Sequence, residues 1–467
     1  MNIFERFRDL SVLVVGDVML DKYVHGQVRR ISPEAPIQIL SVGARRSVLG
    51  GAGNVARNVA DLGCHVTLVG VIGADAAADE FLDAASAIGT DLVIDPTRQT
   101  TTKTRFVADS HQLLRVDDEV AMPVSPEVEQ MLIEAVRDSL QDVDVVVLSD
   151  YAKGVLTDDV LAGIMDMAKD RTIIVDPKRP SFAAYRGATI ITPNERELVA
   201  GTGIAHLDEA AGEALAESGA AAIAVTRSEK GVTLYRQNGE PVHIPAVSRN
   251  VADVSGAGDT LVAVLAACLA AQMDLPEAVA MANRAAGVAV TKCGTASVTV
   301  AELRASVNEL RGKIVSQSDA ADLVAVWRQQ GHRVGFTNGC FDLLHPGHTS
   351  LLRQARETCD RLVVGLNTDA SVRRLKGERR PVQTETDRAT VLSELAVVDL
   401  VVLFDDDTPL SLIELLTPDV LLKGGDYGID RIVGADWVVA HGGSVETVGI
   451  VSGYSTSGLI ERITQSC

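Results

Sequence analysis

Aromatic residues are scarce in this chain, at 3% of 467 residues with only two tryptophans. Its cores must therefore be assembled mainly from Ala, Val, Leu and Ile. A basic excess is missing too: 43 Lys and Arg face 63 Asp and Glu, for a net charge of −20. Phosphate backbones attract basic surfaces, so this balance argues against nucleic acid as the main partner. It leaves room for a local basic pocket that takes one small anion. The longest apolar run, 261–271, is too short and too rich in alanine for a bilayer helix, so no membrane span is expected. The charged start, with Glu5, Arg6, Arg8 and Asp9, lacks the pattern of a secretory leader. The six cysteines form no CxxC pair, and no Cys/His cluster has zinc spacing. They read as reduced thiols in a cytoplasmic protein. An apolar content of 46% excludes a disordered chain.

Short Val/Ile/Leu runs do recur, alternating with Ala-rich helical stretches. In the first part they lie at 11–15, 65–71, 143–148, 172–175, 189–191 and 222–226. Runs of this length, apolar throughout, predict strands buried on both faces in a parallel sheet with covering helices. Residues 23–48 differ, with loose alternation and prolines at 33 and 36, and predict a small β-flap outside that sheet. A second α/β pattern starts near residue 333, with strand candidates at 333–337, 361–366, 400–404 and 420–422. Residues 301–314 predict a closing helix of the first unit. The polar segment 313–319 (KIVSQSD) predicts a linker, with Ser318 or Asp319 as cap of the next helix. The expected division is a first domain over 1–315, a linker and leading helix over 316–334, and a second domain over 335–467. The halves share no repeat, so two unlike units are joined.

Residues 253–260 (DVSGAGDT) precede the apolar helical run. Small residues at Gly256, Ala257 and Gly258 allow close backbone approach to a ligand, and their N–H groups would open a helix, where an anion is favoured. Asp259 in the first turn places a carboxylate base beside that anion hole, the arrangement phosphoryl transfer needs. A glycine turn with an acidic first helical turn is the plainer alternative. Two further segments weigh against it. Residues 50–58 (GGAGNVARN) form a glycine-rich turn entering a helix, and Asp17 and Asp21 follow the first strand, where open α/β sheets bind ligands.

In that order, the GGxGN turn and the DxxGAGD loop resemble the ribokinase-like (PfkB) sugar kinases over roughly residues 1–313. The resemblance implies Asp259 as catalytic base and Gly256, Ala257 and Gly258 as anion hole. It implies Asn194, Glu195, Arg196 and Glu197 (the NxxE motif) as organisers of Mg²⁺ and nucleotide phosphates, with Glu197 acting on the metal indirectly. Asp17, Asp21, Gly50, Gly51 and Asn54 fall on the sugar side. Residues 226–231, from Thr226 to Gly231, match a nucleotide-contacting segment, although the family often has glycine where this chain has Ser228. Asn283 is a further candidate near the adenine. A phosphorylated sugar would need cations; Lys103 and Arg105 are proposed, with Arg115, Arg29 and Arg30 also available. The flap often pairs subunits in this family, which implies a homodimer.

The second half carries residues 335–348 (GFTNGCFDLLHPGH) between a strand and a helix. His345 and His348, three apart, can converge on one anion at a helix N-terminus and donate hydrogen bonds to an α-phosphate as it becomes five-coordinate. A metal pair or two ordinary loop histidines are the alternatives, and the metal pair is disfavoured because no third ligand is suggested nearby. This half resembles the cytidylyltransferase-like nucleotidyltransferases. The resemblance implies roles for His345 and His348, for Thr337 and Asn338 on the nucleotide side, for Asn367 and Asp369 in a second loop, and for Lys376 on phosphates. It also implies triphosphate contacts from Ser455, Thr456 and Ser457. A PfkB-like half ahead of an HxGH half resembles the bifunctional heptose kinase/adenylyltransferases of Gram-negative bacteria, which act on sugar phosphates with ATP and Mg²⁺ in ADP-heptose synthesis. A kinase joined to a cytidylyltransferase acting on another sugar or polyol phosphate is the alternative, and a degenerate scaffold protein is a third reading. The expected fold is a ribokinase-like α/β/α domain with a small β-flap, followed by a Rossmann-like α/β domain.

Overall fold

The computed structural model describes residues 3–108, 111–247, 251–292, 294–425 and 432–449, and for 308–311 the backbone alone. The chain divides into two compact units, Met1–Val300 and Ala301–Cys467.

The first unit is built on a nine-stranded sheet. In spatial order its strands are Val242–Ile244, Val232–Arg236, Ala222–Thr226, Ile190–Ile191, Thr172–Asp176, Val145–Ser149, Ser11–Gly16, His65–Ile72 and Gly89–Ile94. Pairing is parallel except around Val232–Arg236, which runs antiparallel to both neighbours. The apolar runs sit where two-sided burial demands: residues 12–15 and 145–148 have no exposed surface. Helix Ala257–Ala270 is apolar around nearly its whole circumference and is buried accordingly.

A separate four-stranded sheet holds Gln38–Gly51, Val18–Ile31, Thr102–Ala108 and His111–Asp118, in that order. The expected flap was only its first hairpin. Strand Val18–Ile31 also pairs in parallel with Thr102–Ala108, matching Asp21 to Lys103 and Tyr23 to Arg105. His111–Asp118 is exposed along its length, and its apolar residues, Leu113, Leu114 and Val116, form no continuous run. Strand Val18–Ile31 is buried at its start and exposed at its end, so the sheet is rooted in the core and runs outward.

The second unit has a six-stranded parallel sheet in the order Ile314–Val315, Leu400–Phe404, Arg361–Asn367, Val334–Gly339, Val420–Gly424 and Ser444–Val448. Apolar clusters cover both faces. The division of the chain falls at 300/301, upstream of the expected 315. Helix Val300–Arg311 contributes Ala305 to the second core, and its Arg304 pairs with Asp322 at 3.1 Å. The segment 313–319 is not a linker. Ile314 and Val315 pair with Val401 and Val402, and Ser316, rather than Ser318 or Asp319, caps helix Gln317–Gln329 by accepting from the Asp319 N–H. A two-residue strand whose partner lies far along the chain leaves no periodic signal. Among the described residues, no helix is long and apolar enough to cross a membrane. Cys64, Cys268, Cys340 and Cys359 are free thiols.

Candidate functional site

In the first unit, a cleft of about 590 Å³ opens at the carboxyl ends of the central strands. Asp259 lines it in the first turn of helix Ala257–Ala270. Gly256 precedes this helix at φ +78°, and a Cβ there would lie 2.8 Å from the Asn54 amide nitrogen, so no larger residue fits. No side chain caps the helix, and Gly256, Ala257 and Gly258 all line the cleft. The Ala257 N–H donates to the Val254 carbonyl at 3.3 Å, and the first turn, open to the cleft, together with the positive end of the helix dipole favours an anion there.

The Asp259 carboxylate is held from two sides. Asn54 Nδ2 donates to Oδ2 at 2.7 Å and the Tyr151 hydroxyl donates to Oδ1 at 2.8 Å. Asn54 comes from helix Ala52–Asp61, and the Asn58 amide donates to its oxygen at 3.3 Å, which fixes which end of Asn54 faces the aspartate. Burial pushes the Asp259 carboxyl up to about 6; its two donors and Lys178 pull against this, and the Asp21 charge adds to it. A carboxyl poised there is matched to accepting a hydroxyl proton near neutral pH.

Asn194, Glu197, Thr226, Gly231 and Asn283 line the same cleft. The NxxE motif has a local structural role as well. The Asn194 side chain accepts from the Glu197 N–H at 2.9 Å, and Glu197 Oε2 accepts from the Asn194 N–H at 2.8 Å, a reciprocal capping box on helix Glu195–Thr202. Glu197 Oε1 accepts from Lys178. Glu195 and Arg196 are not brought to the cleft; they line a separate surface depression, where Glu195 pairs with Arg227 at 2.6 Å. Ser228 sits at φ +50°, a left-handed conformation that glycine adopts more readily than serine. Asn283 is buried, and its amide donates to the Pro245 carbonyl at 2.9 Å.

The two sugar-side aspartates differ. Asp17 is buried and accepts from the N–H groups of Tyr151 (2.7 Å), Lys153 (3.0 Å) and Val155 (3.3 Å), so it anchors the 151–155 loop. Asp21 pairs with Arg105 at 2.6 Å and accepts from Thr295 Oγ1 at 3.3 Å. Gly50 leaves room for it: a Cβ there would lie 2.8 Å from Asp21 Oδ2. Gly51, at φ +55°, precedes the helix that carries Asn54. Lys103 lies with its ammonium 5.4 Å from the Tyr151 ring centroid.

Tyr151, Asp176 and Lys178 were missed from the sequence. Each follows or ends a central strand, so the rule that ligands bind at strand carboxyl ends would have flagged them. Burial and the surrounding carboxylates hold Asp176 well above the usual range. Burial opposes the charge on Lys178, but Asp176, Glu197 and Asp259 outweigh it and raise its pKa.

In the second unit, His345 caps the N-terminal end of helix Pro346–Glu357 and stacks on His348, with ring centroids 3.8 Å apart. Both Nδ1 atoms are buried without a protein hydrogen-bond partner. Burial, followed by the neighbouring His345 and Lys376, drops His348 to about 4, so its ring is neutral at pH 7. His348 lines a pocket of about 220 Å³ together with Asn338, Lys376, Arg380 and Lys423. Lys423 donates to Asn338 Oδ1 at 3.0 Å. Thr337 is fully buried in its strand and is not part of this lining, and its hydroxyl has no protein partner. Two groups that were not singled out in the sequence shape the site. Asp342 accepts from Arg380 at 2.5 Å, and Arg388, fully buried, donates to the carbonyls of Cys340 (2.6 Å) and Asn367 (2.9 Å) and to Asp369 (2.7 Å). Ser455, Thr456 and Ser457 lie outside the described residues.

Comparison with known proteins agrees with both halves. The pfkB family carbohydrate kinase profile matches residues 9–301, and the cytidylyltransferase-like profile matches 336–461. The chain is 50% identical to the bifunctional protein HldE of Caulobacter vibrioides, covering 98% of this chain and 97% of the relative. It is 52% identical to HldE of Azorhizobium caulinodans, covering 97% and 98% respectively. Among solved structures, phosphofructokinase-2 of Escherichia coli superposes with a TM-score of 0.55 at 19% identity, over 65% of this chain and 99% of that one. The ribokinase of Arabidopsis thaliana, solved with ribose and ATP, gives 0.51 at 20% identity, over 65% and 98%. At such identities the structural likeness speaks for the fold alone. Near-full-length identity to HldE proteins, together with both family profiles, places this chain in the HldE family of bifunctional enzymes, a PfkB sugar kinase joined to an adenylyltransferase in ADP-heptose biosynthesis.

Proposed function

We propose that in the first unit Asp259 removes the proton from O1 of D-glycero-β-D-manno-heptose 7-phosphate as the γ-phosphoryl group of ATP is transferred, giving the 1,7-bisphosphate. The observation that carries this reading is the Asp259 carboxylate, held by Asn54 and Tyr151 in the first turn of an uncapped helix. The N–H groups at Gly256, Ala257 and Gly258 stabilise charge on the phosphoryl group in flight. Asn194, Glu197, Thr226, Gly231 and Asn283 line the ATP side, and Lys178 brings a cation to the phosphates. Asp21, with Gly50, Gly51 and Asn54 behind it, faces the sugar; Lys103 and Arg105 supply positive charge toward its phosphate. Asp17 acts through the loop it anchors.

Magnesium enters with ATP and neutralises phosphate charge. Both Glu197 oxygens already accept hydrogen bonds, and among the described residues no three ligating side chains cluster. This donor set fits an ion held mainly by phosphate and water, with Glu197 acting indirectly.

In the second unit, His345 and His348 donate to the α-phosphate of ATP as heptose 1-phosphate attacks it, giving ADP-D-glycero-β-D-manno-heptose and pyrophosphate. Lys376 and Lys423 bring positive charge to the same pocket. Ser455, Thr456 and Ser457 are proposed to contact the triphosphate. The identity to HldE proteins favours this reading over a cytidylyltransferase acting on another sugar phosphate. We place the protein in the cytoplasm and as a homodimer through the small sheet. Ile31, Ile37 and Leu114, all on or beside that sheet and each more than half exposed, support the pairing. Incubation with heptose 7-phosphate and Mg-ATP, followed by mass spectrometry, should show a bisphosphate; heptose 1-phosphate and ATP should give ADP-heptose. Absence of the bisphosphate from active protein would overturn the substrate reading.

A further inference from the structure

We propose that Tyr151 is a positioning residue of the kinase reaction, holding the Asp259 carboxylate ionised and aimed, with its own loop fixed by Asp17. The proposal rests on the reading of Asp259 as the base.

Three sets of contacts carry it. The Tyr151 hydroxyl donates to Asp259 Oδ1 at 2.8 Å while Asn54 fills Oδ2 at 2.7 Å, so the carboxylate is clamped by donors from two different elements. The backbone around Tyr151 is fixed in turn, because buried Asp17 accepts from the N–H groups of residues 151, 153 and 155. The Tyr151 ring also lies within cation–π range of two lysines, with Lys103 Nζ at 5.4 Å and Lys178 Nζ at 5.6 Å from its centroid. One lysine comes from the small sheet and the other follows the main-sheet strand Thr172–Asp176. The tyrosine therefore touches the base, the sugar-side sheet and the nucleotide-side cation at once.

The physical consequence concerns protonation. A phenol donor stabilises a carboxylate over a carboxylic acid. The charged groups facing Asp259 do not act in one direction. Asp21 from the small sheet and Asp176 from the main sheet disfavour a further negative charge, and Lys178, itself bonded to Glu197, favours it. Tyr151 keeps its proton, since burial and the carboxylates of Asp259 and Asp176 raise its pKa well above the ordinary phenol value. It therefore serves only as a donor.

The test is the pH profile of kinase turnover in Tyr151→Phe, with adenylyl transfer measured on the same samples. Losing one hydrogen bond to a charged group should move the acid limb up by about one pH unit, so turnover relative to wild type falls about tenfold further at pH 5.5 than above pH 8, where only the loss of aim remains. The KM for ATP should stay unchanged. An acid limb that coincides with the wild type, at whatever height, overturns the proposal. If Tyr151→Phe does not fold, 3-fluorotyrosine at position 151 keeps the ring and makes the phenol a stronger donor. The limb should then move to lower pH, and coincidence again counts against the role. Asp259→Asn separates the two readings. Persisting turnover in that variant removes Asp259 as base and the proposal with it, whereas an inactive Asp259→Asn with an unshifted Tyr151→Phe limb overturns the Tyr151 role alone.

Discussion

The first unit builds its reactive centre around one carboxylate and the second around two imidazoles, and burial acts on them with opposite sign. Asp259 is raised to about 6 and His348 is lowered to about 4. In both cases the desolvated site resists charge. The two sites then diverge in how they answer that cost. The aspartate has donors on both oxygens and a lysine nearby, so its ionised form is supported and it can serve as a base. The histidines have unpartnered Nδ1 atoms and are held neutral by burial, with His345 and Lys376 adding to it at His348, so they can give a hydrogen bond without carrying charge. In the function proposed above, one site takes a proton and the other stabilises charge that develops on phosphate.

The largest expected effect separates the sites outright. Asp259→Asn keeps the shape but cannot accept the proton, so kinase turnover should fall ~10²–10⁴-fold while adenylyl transfer is unchanged. His345→Ala or His348→Ala should do the reverse, lowering adenylyl transfer on the order of 10²–10³-fold with the kinase intact. Measuring both activities in each variant checks this. Equal loss of both in any one variant would break the comparison.

A smaller, graded effect sharpens it. A base with a pKa of about 6 loses its ionised form as pH falls, so kinase turnover should drop about tenfold per unit below pH 6 and level off above it. His348, with a pKa of about 4, remains neutral throughout pH 5–8, so adenylyl transfer should stay flat across that range. Rate profiles of both reactions in one buffer series test this. An adenylyl-transfer rate that climbs as pH falls toward 5 would instead point to an imidazolium donor.

The smallest effect concerns where one unit ends. Ser316 caps a helix of the second unit and directly follows its edge strand, so Ser316→Ala should lower that unit's stability by about 1 kcal/mol and leave the kinase unfolding transition in place. Denaturant unfolding followed through the loss of each activity measures it. A shift confined to the kinase would return 313–319 to the first unit.

Much of this was legible in the residues themselves. The strands at 11–15, 172–175 and 222–226 are read from runs dominated by apolar residues, because two-sided burial needs them. Asp259 and His348 are read from local motifs, because a helix N-terminus and its anion site are set by residues adjacent in the chain. Tyr151, Asp176 and Lys178 escaped although their place after central strands marks them, whereas other features leave little local signal. His111–Asp118 is exposed along its length, and joins its sheet through pairing with Thr102–Ala108. Thr337 carries a motif position, yet strand alternation turns it into the core and away from the pocket.

The sequence alone determined which chemistries the chain carries, because each depends on residue types at short, fixed spacing: a glycine-opened helix with an aspartate, and two histidines flanking Pro-Gly. Only the tertiary structure decided how those groups are tuned and what supports them. Asn54 meets Asp259 across 205 positions and Tyr151 meets it across 108, and Asp17 fixes the tyrosine's loop across 134. Separations of that size are closed by sheet order and helix packing, which bring distant strand ends together at one edge, and the burial that shifts each pKa exists only once they have met.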